Sequence, residues 1–295
     1  MSESMEFAMF TMEPIPDSII DAQIIFHFYG KPISFLFINI NLLHMTRILG
    51  IVSGKGGVGK TTLVSNLGVS MAQEGKKVAV IDANLSGANL GLQFGLISYP
   101  TSVHDVMRGN TAIGDAMYKH PSGVDIIPAS LSIEDLDVEP RNIKREILDN
   151  LNDRDFVLID CATGLDRETM VALEMCDEVL LVTHPELPTI SDALRTKTIA
   201  KRYDKNIIGI VLNRVNRSDE LKKENISAFF DLPVIGVIPE DHFVRKSIEA
   251  KNPIILEYPR HRVSQEIKRI THYILGKEYK YKQGILDRIL SFFRK

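Results

Sequence analysis

Nine consecutive residues, Gly54-Lys55-Gly56-Gly57-Val58-Gly59-Lys60-Thr61-Thr62, bring together four glycines, two lysines and two hydroxyls. They fit the pattern G-x-x-x-x-G-K-[ST], with Gly54, Gly59, Lys60 and Thr61 at its defining positions. Glycines let successive backbone N–H groups turn inward, and the start of a helix adds partial positive charge, so such a loop cradles a polyphosphate. Lys60 is then placed to reach the terminal phosphates, and the Thr61 hydroxyl to ligate Mg²⁺. Asp82 and Asp160 each close an apolar run, and both are expected beside this loop. Asp160 has the place of the carboxylate that holds the metal, Asp82 that of a second metal-site residue.

The elements that position these groups follow from the apolar pattern. Ile48-Leu49-Gly50-Ile51-Val52 reads as a strand entering the loop, and Leu63 to Ala72 as the helix leaving it. Lys77-Val78-Ala79-Val80-Ile81-Asp82 is a second strand after the Gly75 stop, and Val124-Asp125-Ile126-Ile127-Pro128 reads as a strand edge. Arg141 to Leu151 has helical spacing, with Ile143, Ile147 and Leu151 on one face. The runs 156–160, 178–182 and 207–212 are nearly continuous in apolar residues, as in parallel strands buried on both faces. Helical stretches lie between them. The fold class expected is α/β: a doubly wound, mainly parallel sheet with helices on both faces and ligands at the carboxyl ends of the strands.

Lys55 is the unusual member of the loop. The run from Gly54 to Thr62 resembles the deviant Walker A motif of the MinD/ParA family of dimerising ATPases, and within it the MinD branch. The resemblance covers roughly Met45 to Lys295. It implies ATP and Mg²⁺ as cofactors, an ATP-dependent homodimer, and a Lys55 that reaches the partner's nucleotide. It makes the whole run from Gly54 to Thr62 nucleotide-binding, Gly56, Gly57 and Val58 included. It also assigns Asp82 to Leu92 to a first nucleotide-sensing switch and Asp160-Cys161-Ala162-Thr163-Gly164 to a second. Many relatives carry Asp-x-Asp at the first switch, where Asn84 stands here. An amide orients water but does not accept a proton as a carboxylate does, so slow hydrolysis is expected. Asn213 and Arg214, with Pro239 and Glu240 of Val237-Ile238-Pro239-Glu240-Asp241, resemble the adenine-binding end. Asp192-Ala193-Leu194-Arg195 is, by the same analogy, on a helix that faces a regulatory or cargo protein.

Three parts of the chain are distinguished: an extension over 1–44, an ATPase domain over 45–276, and a basic linker with a terminal helix over 277–295. The extension lacks the basic start of a signal peptide. Its uncharged run from Pro32 to Thr46 has 15 residues, short of the roughly 20 a membrane span needs. Met45-Thr46-Arg47 directly before the first strand is the expected translation start. At the other end, Ile285, Leu286, Ile289, Leu290, Phe292 and Phe293 share one broad helical face, preceded by Lys277, Lys280 and Lys282. A short basic helix with aromatic residues suits an anionic membrane surface, as in the MinD branch. A cytoplasmic protein, peripherally bound to membrane and positioning a cell-division or other assembly, is therefore expected. Net charge of −3 argues against a nucleic-acid coat and DNA is not an expected partner. Two alternatives stay open: a ParA-like DNA-partitioning ATPase, which needs a basic patch, and an iron–sulfur carrier, which needs exposed paired cysteines.

Overall fold

A computed structural model describes residues 27–28, 31–32, 46–135, 137–216 and 223–279. The chain divides into two units, Met1–Met45 and Thr46–Lys295. The first contributes one antiparallel pair, His27–Phe28 with Lys31–Pro32. The expectations for the rest of 1–44 and for the helix carrying Ile285 to Phe293 fall outside the described residues.

The second unit is built on eight strands: β1 (Arg47–Ser53), β2 (Val78–Ala83), β3 (Tyr118–Lys119), β4 (Val124–Ile127), β5 (Phe156–Thr163), β6 (Glu178–Thr183), β7 (Asn206–Val215) and β8 (Val234–Pro239). Their order across the sheet is β8-β7-β6-β1-β5-β2-β4-β3. Every neighbouring pair is parallel except β3 with β4. The helices are α1 (Lys60–Gln73), α2 (Leu90–Gln93), α3 (Val103–Arg108), α4 (Lys144–Asn150), α5 (Arg167–Met175), α6 (Leu187–Arg202), α7 (Lys223–Phe230), α8 (His242–Glu249), α9 (Ile254–Glu257) and α10 (Arg262–Ile274).

Side chains alternate across the pleat, so each central strand feeds two cores. Ile48, Val52, Ile81, Val157 and Ile159 face the layer that holds α5 and α6. Leu49, Ile51, Val80 and Leu158 face the layer of α1, α9 and α10. This two-sided burial is why the strand sequences read as unbroken apolar runs. Close approach fixes two glycines here. A Cβ on Gly236 would lie 2.4 Å from Ile270 Cδ1 of α10, and one on Gly50 would lie 2.4 Å from Cys176 Sγ.

Several boundaries differ from the sequence reading, two of them near the site. The helix expected from Arg141 begins at Lys144, because the Asn142 carboxamide oxygen takes the Lys144 N–H and the Arg141 guanidinium is drawn to the carbonyls of Val106 and Met107. Ile143, Ile147 and Leu151 are buried nonetheless. Asp160 does not end its strand: β5 runs on to Thr163, past a register shift opposite Ile51 and Ser53.

Candidate active site

The loop between β1 and α1 occupies the centre of the sheet's carboxyl edge. Gly57 (φ 78°) and Gly59 (φ 91°) take left-handed backbone that L side chains rarely adopt. Gly54 and Gly59 are also required by packing: a Cβ on either would stand 2.3 Å from another group, the Asp192 carbonyl carbon of α6 and the Asn213 amide nitrogen respectively. Around Gly57 the space is open, and at Gly56 only Thr163 Oγ1 comes near, at 3.9 Å. The protein therefore grips the two ends of the loop and leaves its middle clear. α1 starts with no side-chain cap and no acidic residue in its first turn, so its N-terminal N–H groups are free to meet an anion.

Beneath the loop lie three buried charges. Lys60, Asp82 and Asp160 are 6%, 1% and 1% exposed. Burial pulls the Lys60 ammonium below its usual range, against the opposing charges of Asp160 and Asp82. Burial, with the Asp160 charge, pushes the Asp82 carboxyl up to about 7. Asp160 itself is pushed up to about 6 by burial, restrained by the Lys60 charge and the Thr61 hydroxyl. The two carboxylates are direct neighbours in the β2–β5 register. One ammonium against two carboxylates leaves the site short of positive charge in a medium where charge is costly.

Neither oxygen of Asp160 completes a hydrogen bond. Buried carboxylate oxygens without donors are rare and fit a cation that supplies the missing charge. No group of three or more His, Cys, Asp or Glu able to hold a metal occurs among the described residues. One carboxylate and one hydroxyl, Asp160 and Thr61, would hold Mg²⁺ completed by water and phosphate oxygens.

Asp82, expected to share the metal, also anchors the loop that follows it, through three backbone N–H groups. Oδ1 accepts from Asn84 N at 3.1 Å, and Oδ2 from Asn89 N at 3.1 Å and Leu90 N at 3.0 Å. Asn84 precedes the 3₁₀ turn Leu85–Gly87 and its Nδ2 donates to Gly87 O at 2.8 Å. That bond fixes the amide plane and leaves Oδ1 to accept from a water. Lys55 is exposed, and its ammonium meets no partner among the described residues. Cys161 and Cys176 are free and wholly buried, and contact with the Cys176 thiol together with burial pushes Cys161 well up. The exposed cysteine pair of an iron–sulfur carrier is not present among the described residues.

The base-binding expectation gathers into one place. Asn213 Nδ2 donates to Val58 O at 2.7 Å, and Arg214, with left-handed backbone at φ 55°, donates to Gly57 O at 3.2 Å and Glu240 Oε2 at 2.6 Å. Asn213, Arg214, Pro239 and Glu240 line a cavity of about 530 Å³ that opens onto Gly57, Gly59 and Thr62. Its size suits a nucleoside held beside the phosphate loop. The remaining wall comes from α8 and α10, through Val244, Arg245 and Val263. Sequence reasoning missed these two helices, although the spacing of Val263, Ile267, Ile270 and Ile274 carries the signal of α10. His184 is half-buried, its Nε2 completes no hydrogen bond among the described residues, and burial together with the Arg214 charge lowers its basicity.

Residues 49–254 match the family model of the CobQ/CobB/MinD/ParA nucleotide-binding domain. An uncharacterized ATP-binding protein of Methanocaldococcus jannaschii is 41% identical over 254 residues, which span 84% of this chain and 96% of that protein. The crystal structure of the cell division ATPase MinD of Pyrococcus furiosus superposes with a TM-score of 0.76 at 34% identity, covering 79% of this chain and 99% of that one. The septum site-determining protein MinD of Pyrococcus horikoshii, complexed with Mg-ADP, gives 0.75 at 33% identity, with 78% and 96% covered.

Proposed function

The chain belongs to the CobQ/CobB/MinD/ParA nucleotide-binding family and is a MinD-like ATPase using ATP and Mg²⁺; from that premise we propose that it pairs with a second copy over the bound nucleotides and rests on a membrane surface through residues 277–295. The observation that carries the pairing is Lys55. It is a cation in the phosphate loop, exposed and without a partner in its own copy among the described residues, while Lys60 already serves that copy's phosphates. A second copy brings the missing partner, and Lys55 becomes a charge supplied from across the interface, as an arginine finger is. The carboxyl edge of the sheet supports the same reading. Ile133, Leu165 and Leu187, in the segments after β4, β5 and β6, are exposed, Ile133 at 84% and Leu187 at 71%. Exposed apolar side chains at this edge favour a protein partner there.

Mg²⁺, when bound, neutralises phosphate charge and polarises the terminal phosphoryl group. The chain's own residues do the positioning. Lys60 holds the terminal phosphate, the free N–H groups of the loop and of α1 hold the others, Thr61 and Asp160 hold the cation, and Asn84 Oδ1 orients the attacking water. Without a carboxylate at position 84 turnover is slow, which suits a switch whose output is association.

Pairing also sets the grip on lipid. An interfacial helix buries its apolar side chains only in part, at less than the roughly 1.5–3 kcal/mol each that full burial gives, and must order its backbone as well. One tail therefore binds weakly. Two on one dimer gain a factor of about 10²–10⁴ through effective concentration. The protein then cycles between the cytoplasm and a membrane surface, presenting a regulatory or cargo protein with a nucleotide-dependent platform for cell division or a related positioning task. Co-sedimentation with anionic liposomes tests this: binding with Mg·ATP, little without it, and none once residues 284–295 are deleted. Equal binding by the deleted chain would overturn the membrane reading.

A further inference from the structure

Among the contacts that hold the first switch, three bear on its turn, and only one of these lies on its own strand. Asp82 takes the N–H groups of Asn84, Asn89 and Leu90 from below. At its far end, Gln93 of α2 donates to Thr62 Oγ1 at 3.2 Å and accepts from Ser65 Oγ at 3.0 Å, both on α1. The third contact comes from α5. Glu168 Oε2 accepts from Leu85 N at 3.1 Å and from Ser86 N at 3.4 Å, 83 and 82 residues away in sequence. These are the first two residues of the 3₁₀ turn that Asn84 precedes.

Glu168 stands in the first turn of α5, which follows the second switch after Gly164, a residue with φ of 91°. The carboxylate thus spans from one nucleotide-sensing segment to the other. The ring it closes has few joints: Asp82 and Asp160 are paired in register, β5 leads through Gly164 into α5, and Glu168 returns to the turn beside Asn84. Asp166 caps α5 by accepting from Thr169 N at 3.0 Å, so Glu168 is not needed for that task.

We propose that Glu168 is a positioning residue for phosphoryl transfer, holding the Leu85–Gly87 turn so that Asn84 faces the attacking water and linking the movement of the second switch to the first. The proposal rests on the reading of Asn84 as the water-orienting residue. Asn84 Nδ2 is tied to Gly87 O within that same turn, so a turn that drifts carries the amide with it. Misplacement of a positioning group by about 1 Å costs up to about 10²-fold in rate while leaving ground-state binding alone.

The test uses the full chain with Glu168→Ala, Glu168→Asp and Glu168→Gln beside Asn84→Ala, measuring steady-state ATP hydrolysis, ATP affinity and melting temperature. Glu168→Ala and the shorter Glu168→Asp are expected to lower kcat about tenfold with KM within about twofold. Glu168→Gln, whose amide oxygen still accepts both N–H groups, is expected to keep at least half of the wild-type kcat. Unchanged kcat in the Asp variant, or an equal loss in the Gln variant, would overturn the proposal. Should Asn84→Ala turn over at the wild-type rate while Glu168→Asp does not, the reading of Asn84 fails and the link through Glu168 stands. The Asp and Gln variants keep the comparison intact if the Ala variant does not fold.

Discussion

At the scale of single residues the site is an arrangement of unmet demands. Asp160 has two buried oxygens that complete no hydrogen bond, Lys60 is a buried ammonium whose burial disfavours its charge, and the first turn of α1 has no side-chain cap. A nucleotide with its cation answers all three. Asp82 is the contrasting case: equally buried, but already satisfied by three N–H groups. The two aspartates should therefore fail differently. Asp160→Asn is expected to lower hydrolysis on the order of 10²-fold and to raise the Mg²⁺ concentration needed for half-maximal rate. The nucleotide-free variant should melt no lower than wild type, because one of two adjacent buried carboxylates has lost its charge. Asp82→Asn still offers one oxygen but forfeits the charge-assisted bonds to Asn89 and Leu90, so it should melt lower. A magnesium titration of ATPase activity with paired thermal melts checks both; an Asp160→Asn enzyme with the wild-type magnesium response would contradict the assignment.

At the scale of elements, the phosphate loop is set by what touches it from outside. α6 lies so close that a side chain on Gly54 would collide with the Asp192 backbone, and Asn213 at the end of β7 does the same to Gly59. Gly54→Ala should push the loop away from α6, with the roughly 1–3 kcal/mol cost of overpacking, and weaken ATP binding by about tenfold or more. Calorimetric titration with ATP against a melting curve reads both numbers, and wild-type affinity in this variant would mean that α6 does not set the loop. These constraints also explain which parts of the fold and site the sequence disclosed. β1, the loop and α1 are consecutive, so one stretch of about 25 residues announces them. The central strands are buried on both faces, and their apolar runs say so. Glu168 could not be found this way, because its partners Leu85 and Ser86 lie 83 and 82 residues distant. The register of β2 on β5, which puts Asp82 beside Asp160, is likewise a tertiary fact. The continuation of β5 to Thr163 was hidden because Asp160 interrupts the apolar run and only the small residues Cys161, Ala162 and Thr163 follow it. The spacing along α10 was legible but carried no hint that the helix walls a nucleoside cavity.

At the scale of the whole molecule, one copy holds most of a phosphate-transfer site and leaves a lysine over. Lys60 and Lys55 are five residues apart, yet one is buried under the loop and the other stands exposed above it. The apolar residues that rim the same edge, Leu165 and Leu187 among them, leave that edge ready to be covered. A stable pairing of two such faces needs roughly 1,200–2,000 Å² of buried surface, far more than these side chains alone supply, and in the proposed pairing nucleotide and Lys55 contribute at the centre. The measurement that bears on this most directly is the molar mass by light scattering with saturating Mg²⁺ and a non-hydrolysable ATP analogue, for wild type and Lys55→Ala. The wild-type mass is expected to double from the 33.1 kDa of one chain, while Lys55→Ala binds the analogue and stays at the single-chain mass. A wild-type protein that remains monomeric with the analogue bound would contradict the pairing on which the membrane reading depends.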